Sequence, residues 1–135
     1  MLRKLFYLAI ILAVCFAFYR QILVKAQGYV DQHAQEPWAP KVQLYIGKAY
    51  SFIRSYSQAE TTFLQLQKKY PKSPYAAKAQ YMIASIYEKK EDYGRAKAEY
   101  EKFRKNYPTD EYARKVEDKL RILGLFQETP KSKSQ

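Results

Sequence analysis

The chain has 135 residues, which is room for one small domain and a few accessory segments. Its 24 lysine and arginine residues outnumber 13 acidic residues, and the net charge of +11 favours acidic partners such as acidic proteins, anionic lipid or nucleic acid. Cys15 and His33 are the only cysteine and histidine, which excludes an intrachain disulfide framework and most metal sites.

Residues 5 to 19 are uncharged and almost wholly apolar, which is typical of a membrane-targeting segment. We expect residues 1–24 to form a short, uncleaved signal anchor. Two alternatives remain open. One is a cleaved secretory signal that ends at Ala26, and the other is a lipoprotein signal cut before Cys15, although Val14 is bulky for that cleavage point.

The charges beside the apolar segment predict its orientation. Arg3, Lys4 and the amino terminus slightly outweigh Arg20 and Lys25 on the other side. Because positive flanks stay in the cytoplasm, this balance favours a single-pass membrane protein whose remaining chain is extracytoplasmic.

Residues 25–40 form a linker that continues the helical spacing of the anchor and then breaks. The break falls in the proline-rich residues 36 to 40, because each proline disfavours helix at the residue before it. Trp38 lies in this break. It either covers the open apolar edge of the next domain or anchors at the membrane interface.

Two later segments are near copies of each other, 37 residues apart. Each has a small residue, an aromatic three positions later, an alanine nine positions further on, a second aromatic and a Tyr-Pro end. Such a duplicated helical hairpin must stack on a neighbour to bury its apolar face. The two sets are Gly47, Tyr50, Ala59, Phe63, Tyr70-Pro71 and Ala84, Tyr87, Ala96, Tyr100, Tyr107-Pro108.

This pattern resembles the tetratricopeptide (TPR) repeat, in which small, aromatic, alanine, aromatic and proline residues recur at these offsets. The consensus tryptophan falls on Gln43 and Gln80, and the period is 37 residues. These departures and the Tyr-Pro ends are most similar to the periplasmic branch of the family. That branch includes the TPR lipoprotein of the outer-membrane barrel-assembly machine and the Tol-Pal-associated TPR protein.

The expected fold is all-α, with an N-terminal membrane helix followed by a short TPR-like α-solenoid of two helical hairpins and a capping helix. The array covers residues 41–124, and Ser73 and Thr109 or Asp110 are typical helix-start residues. Gly124 is expected to end the capping helix, and residues 125–135 to be a disordered polar tail. Expected helices cover residues 41–54, 57–69, 74–89, 93–106 and 110–123.

The resemblance implies a concave groove lined by the first helix of each hairpin. By repeat position, the groove is mostly basic with apolar spots, and it suits an acidic protein segment. Tyr45, Tyr75, Tyr81 and Tyr112 have no packing role in the repeat and are therefore free for recognition. The predicted groove residues are Lys41, Leu44, Lys48, Phe52, Lys78, Tyr81, Lys89 and Lys115.

We expect a membrane-anchored scaffold or assembly subunit that docks a protein partner in a membrane or envelope complex. The alternative is a peripheral module that binds anionic lipid, polyanionic glycan or nucleic acid through its basic surface. The adjacent carboxylate pairs lie at helix ends or on exposed faces, and four scattered glycines make no phosphate loop. No enzyme activity, catalytic residue, metal or cofactor is therefore expected.

Overall fold

The computed structural model describes residues 2 to 128, with side chains from residue 4 to residue 124. Within this part of the chain the regular structure is entirely helical, so the predicted all-α fold is confirmed. The six helices are α1 (Leu2–Gln32), α2 (Ala39–Phe52), α3 (Tyr56–Lys69), α4 (Tyr75–Lys89), α5 (Tyr93–Asn106) and α6 (Ala113–Glu128).

Helix α1 has two parts with different environments. Its first part, up to Tyr19, is exposed along its whole described length, whereas Leu23 and Val30 in the second part are buried against the following helices. The stretch Lys4–Gln32 is long and apolar enough to cross a membrane, and the mean hydropathy of its 18-residue apolar window is 2.0. One continuous helix therefore serves as an apolar extension and as the first packed helix of the domain.

Helices α2 and α3 form one antiparallel hairpin, α4 and α5 form the second, and α6 packs on α5. The core runs through the stacked helices, within the hairpins and between them, and Phe63, Tyr100 and Phe103 in it are fully buried. Ala59 and Ala96 have no exposed surface, as expected for positions where helices cross closely. Trp38 is partly buried against the core and stacks on Tyr29 of α1, with ring centroids 5.9 Å apart.

The glutamines at the consensus tryptophan positions are buried and make equivalent hydrogen bonds. Gln43 Nε2 donates to the Thr62 carbonyl oxygen at 3.2 Å, and Gln80 Nε2 donates to the Glu99 carbonyl oxygen at 3.1 Å. Each bond joins the first helix of a hairpin to its second helix. The departure from the TPR consensus thus replaces aromatic packing with a polar bridge that recurs in both hairpins.

The two hairpin turns also have the same backbone conformation. Arg54 and Glu91 have φ angles of 60° and 59°, in the left-handed region that favours glycine. After each of them the chain closes with the same hydrogen bond, from Ser55 N to the Tyr50 carbonyl and from Asp92 N to the Tyr87 carbonyl, both 2.9 Å long. The repeat therefore extends to the geometry of its turns.

The capping helix differs from the prediction at both ends. It begins at Ala113 instead of residue 110, and Asp110 Oδ1 accepts a hydrogen bond from Tyr112 N at 2.9 Å just before it. Gly124 has no positive φ and continues the helix, so the predicted end there is wrong. Residues 125 to 128, expected in the polar tail, are helical. Residues 129 to 135 lie outside the described residues.

The hairpin α2–α3 depends on the missing side chain of Gly47. A Cβ atom at this position would lie 2.5 Å from Phe63 Cε1, and Phe63 is fully buried. We expect Gly47→Ala to destabilise the protein by about 1 to 3 kcal/mol through overpacking, despite the better helix propensity of alanine. Urea unfolding followed by circular dichroism measures this loss.

Gly28 provides the matched control, because it lies in a helix and a Cβ there would meet no atom within 4 Å. We expect Gly28→Ala to stabilise the protein by up to about 1 kcal/mol. Equal effects of the two substitutions would contradict the close packing of Phe63 on Gly47.

Candidate partner-binding face

The first helices of the repeat, α2 and α4, lie side by side with α6 and form one face of the domain. Lys41, Lys78 and Lys115 occupy the same repeat position, each 37 residues after the last. Helix α2 packs on α4, and Lys119 of α6 pairs with Glu88 of α4, so the three lysines form a line across this face. This line is a direct product of the sequence repeat.

Tyrosine rings alternate with lysines along this face. Lys48 Nζ lies 5.1 Å from the centroid of the Tyr45 ring, and both Lys78 Nζ and Lys115 Nζ lie over the Tyr112 ring, at 5.4 and 5.1 Å. An ammonium group over an aromatic face is attracted by the ring quadrupole. We call these five residues, Tyr45, Lys48, Lys78, Tyr112 and Lys115, the lysine–tyrosine row.

Lys78 is the centre of this row. A hydrogen bond with the Tyr112 side chain is the largest cause that raises the pKa of Lys78 above its ordinary value, and Tyr112, Glu111 and Tyr45 raise it further by electrostatic interaction. Partial burial acts in the opposite direction. Because Tyr45 belongs to α2 and Tyr112 precedes α6, Lys78 joins the two outer parts of the face and stays charged at neutral pH.

Tyr81 packs against Tyr112 of the row. Its ring lies 4.9 Å from that of Tyr112 and 5.7 Å from that of Tyr100, which is fully buried. Burial, with Glu88 as the next cause, raises the pKa of Tyr100 far above its ordinary value, so its hydroxyl remains a donor. These packed rings fix the position of Tyr112 and hence of the two lysines over it.

One acidic residue of α4 is engaged within the fold. Glu88 accepts hydrogen bonds from the Tyr100 hydroxyl at 3.1 Å and from Lys119 Nζ at 2.9 Å. It therefore ties α4 to α5 and α6. Because its charge is compensated internally, Glu88 does little to offset the positive charge of the row.

The structure brings together only part of the predicted groove. Lys78, Tyr81 and Lys115 meet at the ring of Tyr112, Lys48 lies over Tyr45, and Lys41 is exposed one turn before Tyr45. Leu44 is only 2% exposed and belongs to the core, so its predicted contact with a partner is wrong. The repeat position was correct, but the leucine points between the helices instead of outward.

Phe52 and Lys89 lie at the opposite end of the same face. They are equivalent residues, 37 apart, at the carboxyl ends of α2 and α4. Phe52 is roughly 16 Å along the helix from Lys41 at 1.5 Å per residue. Lys89 Nζ donates to Ser51 Oγ at 3.2 Å. These two residues are thus separate from the row.

Tyr45 and Tyr112 were absent from the predicted groove set, although both rings hold lysines in place. The sequence already distinguished these two tyrosines, because the TPR pattern assigns neither of them to a packing position. Tyr112 also has aromatic counterparts at Trp38 and Tyr75, at the same 37-residue interval. The pattern that predicts both tyrosines is an aromatic residue three positions before a lysine, since Tyr45 precedes Lys48 and Tyr112 precedes Lys115 in this way.

The effect of Tyr112 on Lys78 is directly measurable. Tyr112→Phe keeps the ring but removes the hydroxyl, the largest cause of the raised pKa, so we expect the pKa of Lys78 to fall toward its ordinary value. Because the raised pKa stabilises the folded protein below the unfolded-state pKa and this contribution is lost as pH rises through the folded pKa, the variant should be less stable than the parent at neutral pH, and the difference should vanish above the folded pKa. NMR titration of the lysine side chains checks the first result.

Tyr75→Phe is the control for this substitution, since Tyr75 occupies the equivalent position one repeat earlier. It should leave the Lys78 titration unchanged. A Lys78 pKa unaffected by Tyr112→Phe would contradict the contact between the two side chains.

A comparison with known protein families gives one assignment. The family YfiO, described as outer membrane lipoprotein, matches residues 39–117, which is more than half of the chain and covers α2 to α5 and the start of α6. A search of curated proteins gives no match. The matched region is the repeat array, and its helical repeats are those expected of the periplasmic TPR branch. The chain is therefore a member of the YfiO family of outer membrane lipoproteins.

Proposed function

We propose that this protein is a membrane-anchored scaffold of a cell-envelope complex and that it docks an acidic segment of a partner protein on the lysine–tyrosine row. The main observation in support is that Lys78 Nζ and Lys115 Nζ both lie over the ring of Tyr112, while Lys48 Nζ lies over the ring of Tyr45. Charges and rings held this way are ordered before binding. A partner therefore loses little free energy in ordering them.

The chemistry of the row favours a peptide over a small molecule. The lysine line spans three helices, and the exposed ring of Tyr45 with the partly buried ring of Tyr112 offers contact area to an extended or helical segment. Acidic side chains on that segment would meet Lys41, Lys78 and Lys115 at the spacing of the helices. Long-range attraction by the net charge would speed association.

The family supports an envelope location and a scaffold role without catalysis, since its members are described as outer membrane lipoproteins. In this proposal α1 holds the array at the membrane and the array is extracytoplasmic. The α1 packing favours an intact helix, because cleavage after Ala26 would remove Leu23, which is 7% exposed, from the contact with the array. Lipid attachment at Cys15 remains the alternative that the family name raises.

Charge reversal tests the docking face. We expect the double variant Lys78→Glu and Lys115→Glu to weaken capture of the native partner by about 1 kcal/mol per residue, or roughly fivefold in Kd for each. Partners are captured from gently solubilised membranes, identified by mass spectrometry and then titrated against each purified variant.

The matched control is Lys68→Glu with Lys105→Glu. These residues are exposed on the second helices α3 and α5, are also 37 apart, and change the net charge by the same amount. The control should bind as the parent does. If both double variants lose affinity equally and binding falls steeply with salt, the protein is instead a module that binds polyanions through its net charge.

The state of the N-terminus is a separate prediction. We expect α1 to be retained in the mature protein, because Leu23, Ala26 and Val30 pack against the array. Intact-mass measurement on protein extracted from membranes decides the point. A chain that begins at Gln27 would contradict the anchor, and a lipid adduct on Cys15 would replace it with lipid attachment.

A further inference from the structure

The direction of α1 determines which end of the array faces the membrane. Asp31, near the carboxyl end of α1, pairs with Lys69 at the carboxyl end of α3, with 2.5 Å between Oδ1 and Nζ. Helices α1 and α3 therefore run in the same direction. The exposed apolar part of α1 lies toward its amino end, so it leaves the array at the end where α3 begins.

The length of the helices places the α2–α3 turn at that exit. Helix α3 has 14 residues and is roughly 20 Å long at 1.5 Å per residue. An equal length of α1 counted back from Asp31 ends near Tyr19, the last residue of the apolar segment. A second contact agrees, because Arg20 acts electrostatically on Tyr50 in the last turn of α2. The turn is therefore level with the point where α1 becomes wholly exposed.

The residues of this turn suit a membrane interface. Phe52 is 86% exposed, more than any of the exposed apolar residues along α1, such as Phe6 and Phe18 at 65% each. Ile53 follows it, and the side chains of Arg54 and Tyr56 hydrogen-bond to each other. Tyr19 and Arg20 repeat the same pairing of an aromatic residue with an arginine on α1. Aromatic residues concentrate at the headgroup level, where arginine side chains reach the phosphates.

The corresponding turn of the second hairpin is polar. Lys89 occupies the position of Phe52, and Lys90 and Glu91 follow it. This turn lies one hairpin further from α1. Tyr93, the equivalent of Tyr56, is exposed here too, but of the two turns only the one beside the anchor exposes a phenyl ring, as expected if that turn reaches the acyl chains.

We propose that the α2–α3 turn, formed by Phe52, Ile53, Arg54 and Tyr56, is a second membrane-contact site that enters the interface of the bilayer in which α1 is anchored. This inference rests on the anchoring part of the proposed function and is independent of the lysine–tyrosine row. The occupant is lipid, with Phe52 at the boundary of the acyl chains and Arg54 among the phosphates. The array then has two attachments to the bilayer and a defined orientation above it.

The test places a single tryptophan at chosen depths in the full-length protein. All variants carry Trp38→Phe, which removes the native tryptophan. Phe52→Trp then reports on the turn, and Tyr45→Trp is the control. Tyr45 lies on the same face of α2 but two turns further from the membrane, roughly 10 Å away. A third variant, Phe16→Trp, reports on the anchor. Thermal unfolding first shows that each variant keeps the fold of the parent. Each variant is then reconstituted in phosphatidylcholine and phosphatidylglycerol vesicles that contain brominated lipid.

We expect the Phe52→Trp indole to emit at shorter wavelength and to lose fluorescence intensity to shallow bromines, while the Tyr45→Trp indole does neither.

Equal behaviour of the two indoles would overturn the second membrane contact. Quenching of the Phe16→Trp indole in that case would show that α1 is anchored without it. A blue shift at Phe52→Trp without quenching would also overturn it, because the turn would then be covered by protein, such as a second copy. Quenching at Phe52→Trp but not at Phe16→Trp would support the contact and remove the spanning anchor.

Discussion

Close contact between the two helices of a hairpin is the constraint on which the rest of this structure depends. The ring of Phe63 occupies the space that a side chain at Gly47 would need, and Ala59 is fully buried nearby in sequence on the same helix. Only small residues allow helices to approach this closely. Because the second hairpin repeats the arrangement with Ala84 and Ala96, the first helices come into register and present equivalent residues on one face.

That register explains how a duplicated sequence produces the face proposed for partner binding. A lysine at the same position of three units becomes a line of charge only if the units stack with the same offset. The buried glutamines contribute to that offset, since Gln43 and Gln80 bridge their hairpins by the same backbone hydrogen bond. The tyrosine rings between the lysines then hold the ammonium groups apart from solvent on one side. Charge, spacing and order in the row therefore all follow from helix packing.

The sequence predicted the array well because helical repeats are encoded by local spacing. The positions of Ala59 and Ala96 and the order of hairpins and cap follow from small, aromatic and polar residues at fixed intervals, whereas the cap begins at Ala113, three residues after the predicted start. The sequence failed where a residue type has two uses. Gly124 can end a helix only with a positive φ, and its type does not reveal that the chain continues in helix. Leu44 lies beside the groove positions in sequence, but a rotation of about 100° per residue turns it into the core.

The continuity of α1 has a mechanical consequence. The same helix is exposed and apolar up to Tyr19 and is packed into the domain at Leu23 and Val30, with no glycine-rich or proline-rich joint between them. Bending a helix requires breaking its hydrogen bonds, whereas a flexible tether would let the array tumble and sweep a volume. With α1 as the proposed anchor, a pull on the array would reach the membrane as torque on a stiff helix. The height and tilt of the array would be set by the geometry of one helix and not by the diffusion of a flexibly tethered domain.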